Sequence, residues 1–371
     1  MHILFAGGGT AGHINPALAI AGVIKQKHPD AKISYIGTAK KLEAKLVPAA
    51  GYDFYTIDVA GFQRKLTPKN VVRNISAVAK AVTASVKSKK LLKKLKPDVV
   101  IGTGGYVSGP VLKQAQKLGI KTAIHEQNAF PGITTKMLAA GADCVMLAFP
   151  EAEKHLKLNK KPVITGNPVR KELLDVEKNE ARKKLGIGDK PLILSFGGSL
   201  GARPINEAVT ELIKWHNPSG NFYHIHATGK TGYDTMCENL SDITLNDKIS
   251  IKEYIYDMDV CMAAADLVIG RAGAITLSEI SACGKAAILI PSPYVSENHQ
   301  YHNAMTLKNV GAAEVIEEKY LTGDKLIDTV KTLCNDKLTL KTMAENAKKN
   351  AITDANERIY VQVMELYKNS K

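Results

Sequence analysis

No CxxC pair occurs in the chain, and its five cysteines, Cys144, Cys237, Cys261, Cys283 and Cys334, are odd in number and scattered. That argues against a disulfide framework and a thiolate zinc site, and points to a reducing compartment. No apolar run reaches the length that crosses a bilayer. The opening residues, Met1-His2-Ile3-Leu4-Phe5-Ala6, meet glycine at once and lack the basic flank and apolar core of a secretion signal, so the protein is expected to stay inside the cell. Acidic residues are the scarcer charge: 36 Asp and Glu against 50 Lys and Arg leave a net charge of +14, which favours an anionic partner such as phosphate, a membrane face or nucleic acid. Between Arg64 and Lys96 acidic residues vanish altogether, while Arg64, Lys65, Lys69, Arg73, Lys80, Lys87, Lys89, Lys90, Lys93, Lys94 and Lys96 are all basic. Val71, Ile75, Val78, Val82 and Val86 recur there at helical steps, giving a helix an apolar stripe beside a basic flank. The same pattern also fits a core-facing helix with a solvated basic face.

What is present is a long chain of globular composition: 371 residues, 45% hydrophobic and 23% charged, more than one core usually holds, so two domains are expected. Short β-branched runs alternate with helical stretches, with strands expected at Ile3–Ala6, Lys32–Ile36, Val99–Gly102 and Thr122–His125. A basic, turn-rich stretch around Lys160–Pro168 precedes a second series, Leu192–Phe196, Tyr223–Ala227, Ser250–Tyr254, Leu267–Gly270 and Ala286–Ile290. Such alternation implies βαβ units and parallel sheets, with a boundary near residue 163. Both halves open alike: a strand, a glycine turn (Gly7-Gly8-Gly9-Thr10-Ala11-Gly12 and Gly197-Gly198-Ser199-Leu200-Gly201) and a helix start, which leaves bare N–H groups where an anion can sit. The expected fold is therefore α/β, two facing Rossmann-like domains with an interdomain cleft.

Gly7, Gly9 and Gly12 satisfy GxGxxG, the mark of a dinucleotide-binding oxidoreductase. That reading also needs an acidic residue at the end of the second strand to hold the ribose, and the strand here ends Tyr35-Ile36-Gly37-Thr38, which disfavours NAD. His13 follows the turn at the mouth of the sheet; alone it would read as a helix-start histidine bonded to backbone. It is joined by polar turns at other strand ends, Gly102-Thr103-Gly104-Gly105-Tyr106, His125-Glu126-Gln127-Asn128 and Gly166-Asn167-Pro168-Val169-Arg170, the edge where open α/β sheets bind ligands. In the second half, Arg271-Ala272-Gly273-Ala274 starts another helix, whose small residues let a pyrophosphate approach its N–H groups. Glu279, a turn and a half further on, suits the two hydroxyls of a ribose or serves as a first-turn dipole partner. Asp257-Met258-Asp259 looks like a metal-binding DxD but sits where an Asp N-cap is expected. His224 and His226 share a strand face without a third ligand nearby and read as structural.

Taken together, these motifs resemble one family closely, the bacterial MurG glycosyltransferases, from Gly8-Gly9-Thr10 through Gly104–Pro110, His125–Asn128, Gly166–Arg170, Gly197-Gly198-Ser199 and Arg271–Ala274 to His299-Gln300. The resemblance implies a GT-B fold, no metal or cofactor, and inverting transfer of N-acetylglucosamine from its UDP donor to undecaprenyl-pyrophosphoryl-N-acetylmuramoyl-pentapeptide (lipid I), giving lipid II in peptidoglycan synthesis. It implies UDP-sugar contacts at Thr10, Ala11, Gly12, Asn128, Arg170, Ser199, Ile255, Ala274, Ile275, Thr276, Glu279 and Gln300, with His13 as general base and Glu126 the alternative. Two departures stand out: Ala11-Gly12 replaces a glycine pair before the histidine, and His299-Gln300 replaces a glutamine pair. Residues 1–163 would bind acceptor and membrane, 164–340 the UDP-sugar, and 341–371 would be a helix packing back on the first domain. The expected place is the cytoplasmic face of the cell membrane, peripheral, on its anionic surface, with no nucleic acid partner and with cell-wall synthesis and division proteins as candidates. A diacylglycerol glycosyltransferase is the competitor within the class; an NAD-dependent oxidoreductase and a non-catalytic membrane recruiter are the competitors outside it.

Overall fold

The alternation of strand and helix produces two parallel sheets in the computed structural model, which describes residues 1–60, 67–198 and 200–371, and residues 68–79 in backbone only. Met1–Pro168 with Asp354–Lys371 form one compact unit and Val169–Thr353 the other.

The first unit holds β1 (His2–Gly7), β2 (Lys32–Gly37), β3 (Asp53–Thr56), β4 (Val99–Gly104), β5 (Lys121–Glu126), β6 (Cys144–Leu147) and β7 (Val163–Ile164). They form a seven-stranded sheet in the order β3-β2-β1-β4-β5-β6-β7, every neighbouring pair parallel. Ile3 and Phe5 enter one apolar cluster while Leu4 and Ala6 enter another on the opposite face. A sheet covered on both faces demands this continuous apolar run, which is why β1 lacks the alternation of a half-exposed strand. The second unit holds β8 (Leu192–Phe196), β9 (Tyr223–Ala227), β10 (Ile249–Lys252), β11 (Leu267–Gly270), β12 (Ala286–Leu289) and β13 (Ala313–Val315), parallel throughout in the order β10-β9-β8-β11-β12-β13. In each unit the strand order reverses beside the opening strand, between β1 and β4 and between β8 and β11. Helices leave on opposite faces there, so the strand ends open into a crevice suited to a ligand.

The structure moves the expected boundary from 163 to 168. The turn after β7 is tied into the first unit by buried bonds: His125 Nε2 donates to the Gly166 carbonyl (3.0 Å) and Asn167 Nδ2 to the Gln127 carbonyl (3.1 Å). Residues 341–371 are two elements rather than one helix. Lys337–Lys349 places Leu340 and Met343 in the second unit's core, whereas Ala355–Lys368 places Ile359, Val363 and Leu366 in the first unit's core, beside the helix Ala11–Lys27. Strands β3, β6, β7 and β13 escaped the sequence reading; three of them lie at sheet edges, where no long apolar run is required. The strand expected over Ser250–Tyr254 ends at Lys252, and Glu253 to Tyr256 leave the sheet.

His224 and His226 are buried on β9, as structural groups, and a third histidine joins them. Ser195 Oγ lies 2.7 Å from both His224 Nε2 and His226 Nδ1. His216 Nε2 is 3.1 Å from His224 Nδ1, and His226 Nε2 is 3.2 Å from Asn206 Oδ1. Asn206 spends its amide N–H on the Thr228 carbonyl, so its oxygen accepts and His226 Nε2 carries the proton. The proton order then follows: Ser195 donates to His226 Nδ1, His224 Nε2 to Ser195, His216 Nε2 to His224, and His216 Nδ1 ends the chain bare and unpartnered. The chain admits neutral rings only. Burial pushes His216 down to about 4, His226 to about 3 and His224 well below the ordinary value of 6.5.

On unfolding these rings take up protons below pH 6.5 while the folded chain resists, so the unfolded state binds more protons and stability falls as pH drops. Between pH 6.5 and 4.5 the urea midpoint of the second unit should fall, with a slope of up to about 1.4 kcal/mol per pH unit for each histidine. Trp215, the single tryptophan, adjoins His216 and stacks on Phe222, so its fluorescence reads this transition. A midpoint that stays flat over this range would contradict the neutral chain.

Candidate active site

In the first unit, β1 and β4 end in glycine turns that touch. Gly9, Gly104 and Gly105 have positive φ (90°, 109° and 77°), and a Cβ on Gly105 would lie 2.3 Å from the Gly8 carbonyl oxygen. The turn passes through Thr10 into the helix Ala11–Lys27, with Thr10, Ala11 and Gly12 exposed at its start. The first N–H groups of a helix have no intrahelical acceptor and carry the positive end of its dipole. The methyl of Ala11, where the family pattern has glycine, points into open solvent and leaves the turn intact.

His13 stands on this first turn. Its Nδ1 is 3.0 Å from the Gly8 carbonyl and 3.3 Å from Thr10 Oγ1, and its own carbonyl accepts from Thr103 Oγ1 at 2.7 Å. A carbonyl only accepts, so Nδ1 carries the ring proton and Nε2 is the bare nitrogen. Gly104 leaves room for the ring: a Cβ there would sit 2.7 Å from His13 Cδ2. The ring is thus oriented with Nδ1–H on the Gly8 carbonyl and Nε2 turned away from it, the tautomer a general base requires.

Glu126, the last residue of β5, is buried and has no such freedom. Oε1 accepts from the Asn128 amide and side chain (3.1 Å each), and Oε2 from Gly132 N (3.1 Å) and Thr135 Oγ1 (2.5 Å). Four donors use the lone pairs of a carboxylate. Its geometry is that of a group folding the loop 127–135, which leans on the glycine turn through Thr134 Oγ1 to the Gly105 carbonyl (3.3 Å). Asn128 is fixed by the same carboxylate.

In the second unit a pocket of about 190 Å³ opens at the ends of β8, β9 and β10, lined by Arg170, Phe196, Gly198, Glu253–Tyr256, Met258 and Glu279 among others. Of the expected residues, Arg170, Ile255 and Glu279 meet here. Glu279 is buried on the helix Ala274–Ala282, and its Oε1 accepts from Arg170 Nε at 2.8 Å, which orients the carboxylate. Burial disfavours the Arg170 charge, but Glu279 outweighs it and holds the guanidinium above its ordinary value. Ala274, Ile275 and Thr276 form the first turn of that helix after Gly273, beside β11, without lining the pocket. Gly198 and Gly201 close the turn after β8 with positive φ (96° and 80°), and a Cβ on Gly201 would sit 2.1 Å from the Thr228 carbonyl. Ser199 lies outside the described residues. Gln300 stands apart from the pocket, accepting from Ser292 N at 2.9 Å.

Tyr254 and Tyr256, in edge contact at 5.0 Å and exposed by 50% and 91%, were not anticipated as pocket residues. The available signal was two tyrosines flanking Ile255 immediately before a helix cap. Asp257 occupies that cap position, yet its side chain makes no capping bond and lies 3.7 Å from Lys252 Nζ instead.

Residues 3–147 match the N-terminal domain of glycosyltransferase family 28 and residues 192–359 its C-terminal domain. The chain is 50% identical over 370 residues to the UDP-N-acetylglucosamine–N-acetylmuramyl-(pentapeptide) pyrophosphoryl-undecaprenol N-acetylglucosamine transferase of Acetivibrio thermocellus, covering all of this chain and 99% of that one. It is 47% identical over 368 residues to the enzyme of the same name in Ruminiclostridium cellulolyticum, covering 99% and 100%. Among solved structures it is similar to Acinetobacter baumannii MurG, with a TM-score of 0.80, 29% identity and coverage of 98% and 99%. Two parallel-sheet units, each with a glycine turn at its switch point and matched along nearly the whole length, leave one assignment: the chain belongs to glycosyltransferase family 28 and, within that family, to the MurG N-acetylglucosamine transferases.

Proposed function

We propose that this chain transfers N-acetylglucosamine from UDP-N-acetylglucosamine to lipid I, forming lipid II for peptidoglycan. The observation that carries this reading is end-to-end similarity, at 50% identity, to an enzyme of that name. The donor seats on the second unit. Glu279, oriented by Arg170, takes the ribose hydroxyls; the loop at Ile255 takes the base; and the helix start at Ala274–Thr276, with the glycine turn at Gly198–Gly201, takes the diphosphate. Helix N-termini stabilise charge that grows on the leaving diphosphate, the work a metal does in other transferases. On the first unit, His13 Nε2 accepts the proton of the acceptor hydroxyl as its oxygen bonds to the anomeric carbon. The bond to UDP breaks with its electron pair, and the configuration inverts. Thr10, Ala11, Gly12 and Asn128 complete the substrate contacts, with Ser199 and Gln300 toward the donor; Glu126 holds the loop that carries Asn128.

Labelled UDP-N-acetylglucosamine with a lipid I analogue should give the labelled disaccharide lipid, and with diacylglycerol nothing; a sugar lipid from diacylglycerol alone would assign the chain to the competing activity. In the same assay His13→Ala should lose about a hundred-fold or more in kcat, the usual scale for a general base. Near wild-type turnover of His13→Ala beside a loss of that size in Glu126→Ala would exchange the two roles.

The acceptor's polyprenyl chain keeps it in the bilayer, so the enzyme must come to the surface. No helix among the described residues is long and apolar enough to cross a membrane. The helix Pro68–Leu95 turns Ala84, Ser88 and Leu92 inward and leaves Val82 and Val86 exposed by 61% and 53%, with exposed Lys87, Lys89, Lys90, Lys93, Lys94 and Lys96 following them. Lys80 is paired to Asp58 at 3.1 Å. Arg64 and Lys65 lie outside the described residues, as do the side chains of Lys69, Val71, Arg73, Ile75 and Val78. This stripe docks the first unit, peripherally, on the anionic cytoplasmic face. Each lysine near such a surface contributes about 1 kcal/mol. Sedimentation with vesicles should therefore rise with anionic lipid and fall with salt, and changing Lys89, Lys90, Lys93 and Lys94 to Glu should abolish it. Binding indifferent to lipid charge and salt, or intact in that variant, would move the dock elsewhere.

A further inference from the structure

Glu43 is a fully buried acid that none of the chemistry above uses. It opens the helix Glu43–Ala49 after β2, and its side chain runs between two glycines. A Cβ on Gly37 would sit 2.6 Å from its Cγ, and a Cβ on Gly8 would sit 2.4 Å from its Oε1. Room has thus been cleared for it at the end of β2 and in the turn that follows β1. Oε1 accepts from Thr38 N (3.0 Å) and Thr38 Oγ1 (2.7 Å), and Oε2 accepts from Gly9 N (3.1 Å). Burial pushes the carboxyl up, but the Thr38 hydroxyl and the amides of Glu43, Gly9 and Thr38 outweigh it, so the group lies below its ordinary value and is ionised at neutral pH.

The Gly9 N–H and the Gly8 carbonyl belong to one planar peptide. On one side that peptide donates to Glu43; on the other it accepts from His13 Nδ1 at 3.0 Å. We propose that Glu43 is a positioning residue for His13, acting through the Gly8–Gly9 peptide: the carboxylate fixes the plane and polarises it, and the carbonyl then holds the Nδ1 proton and leaves Nε2 bare toward the acceptor. Hydrogen bonds in such a chain strengthen one another, and an ionised end strengthens them most. The arrangement does for this histidine what a directly bonded carboxylate does in a catalytic triad, with a peptide between the two. The peptide has no side chain at either residue, so the two hydrogen bonds act with the close packing of Gly105 on the Gly8 carbonyl to set its tilt, and glycine at 9 tolerates the φ of 90° that the turn needs.

The proposal rests on the reading of His13 as base, and Glu43→Gln tests the two separately. Glutamine keeps the shape but has one acceptor oxygen; two donors on the Thr38 side claim it, and the amide NH2 meets the Gly9 N–H, so the peptide loses its anchor. Nitrogen-15 spectra of the imidazoles, with the His13 signal identified by its loss in His13→Ala, should show the Nδ1–H tautomer in the wild type and a mixture in Glu43→Gln. Turnover should fall about ten-fold or more, the scale of a lost charge-assisted hydrogen bond, while the KM for UDP-N-acetylglucosamine changes by less than about two-fold. In a His13→Ala background Glu43→Gln should cost less than about two-fold more, since its effect runs through the missing ring. If Glu43→Gln does not fold, Thr38→Val removes one donor to the same carboxylate and should shift tautomer and turnover in the same direction. An unchanged tautomer, or an equal loss of turnover with and without His13, would overturn the proposal. Wild-type turnover in His13→Ala would overturn the base assignment instead, and the spectra would still read whether Glu43 holds the ring.

Discussion

Where β1 and β4 end, and again where β8 and β9 end, two stretches of backbone come closer than any side chain allows. Gly105 closes on the Gly8 carbonyl, and Gly201 closes on the Thr228 carbonyl and on Gly229; a Cβ at these positions would lie 2.1–2.3 Å from backbone atoms. This close approach is the constraint on which the rest of each unit depends. It brings helix starts to the carboxyl edge of a parallel sheet with their N–H groups unspent, and it fixes the turns from which His13 projects and on which the second unit's pocket closes. A single methyl at Gly105 or Gly201 would separate the crossing segments and the functional groups with them.

The glycines leave the tilt of each turn open, and buried polar groups set it. Glu126 gathers four donors and folds the loop that leans on Gly105; Glu43 gathers three and anchors the Gly8–Gly9 peptide that meets His13. In the second unit Asn206 holds the Thr228 carbonyl beside Gly201 and is itself held by the histidine chain on β9. Buried carboxylates and imidazoles without partners would cost several kcal/mol each. The partners of Glu126 and Glu43 include backbone N–H groups of the loops they hold, Asn128, Gly132, Gly9 and Thr38, so the bonds that make burial of these carboxylates tolerable also shape those loops.

Much of this was legible in the sequence because it rests on short-range rules. Four strands of the first unit and the second unit's Leu192–Phe196, Tyr223–Ala227 and Leu267–Gly270 were readable from apolar runs that a doubly covered sheet requires. The glycine turns and His13 stood out at strand ends, and Arg170, Ile255 and Glu279, named in the sequence, line one pocket. What stayed hidden depended on distant partners. Glu126 stood in sequence as the alternative to His13, and the donors that its oxygens accept from come from the loop from 128 to 135 folding back, which no local pattern shows. Glu43 lies thirty-four residues from the peptide it anchors, in a segment that reads as an ordinary helix start. The terminal helices could not be apportioned because 341–349 and 355–368 have similar amphipathic patterns and differ only in which core receives them. Tyr254 read as strand because nothing local marks Lys252 as the last paired residue.

The central claim is that the nucleotide sugar is held by the second unit, at the loops following β8, β10 and β11. Hydrogen–deuterium exchange of the full chain with and without UDP-N-acetylglucosamine tests it most directly. The account predicts slowed exchange across 197–202, 253–258 and 273–280. Slowing confined to 7–13 and 102–106 of the first unit, with those three segments unchanged, would contradict it.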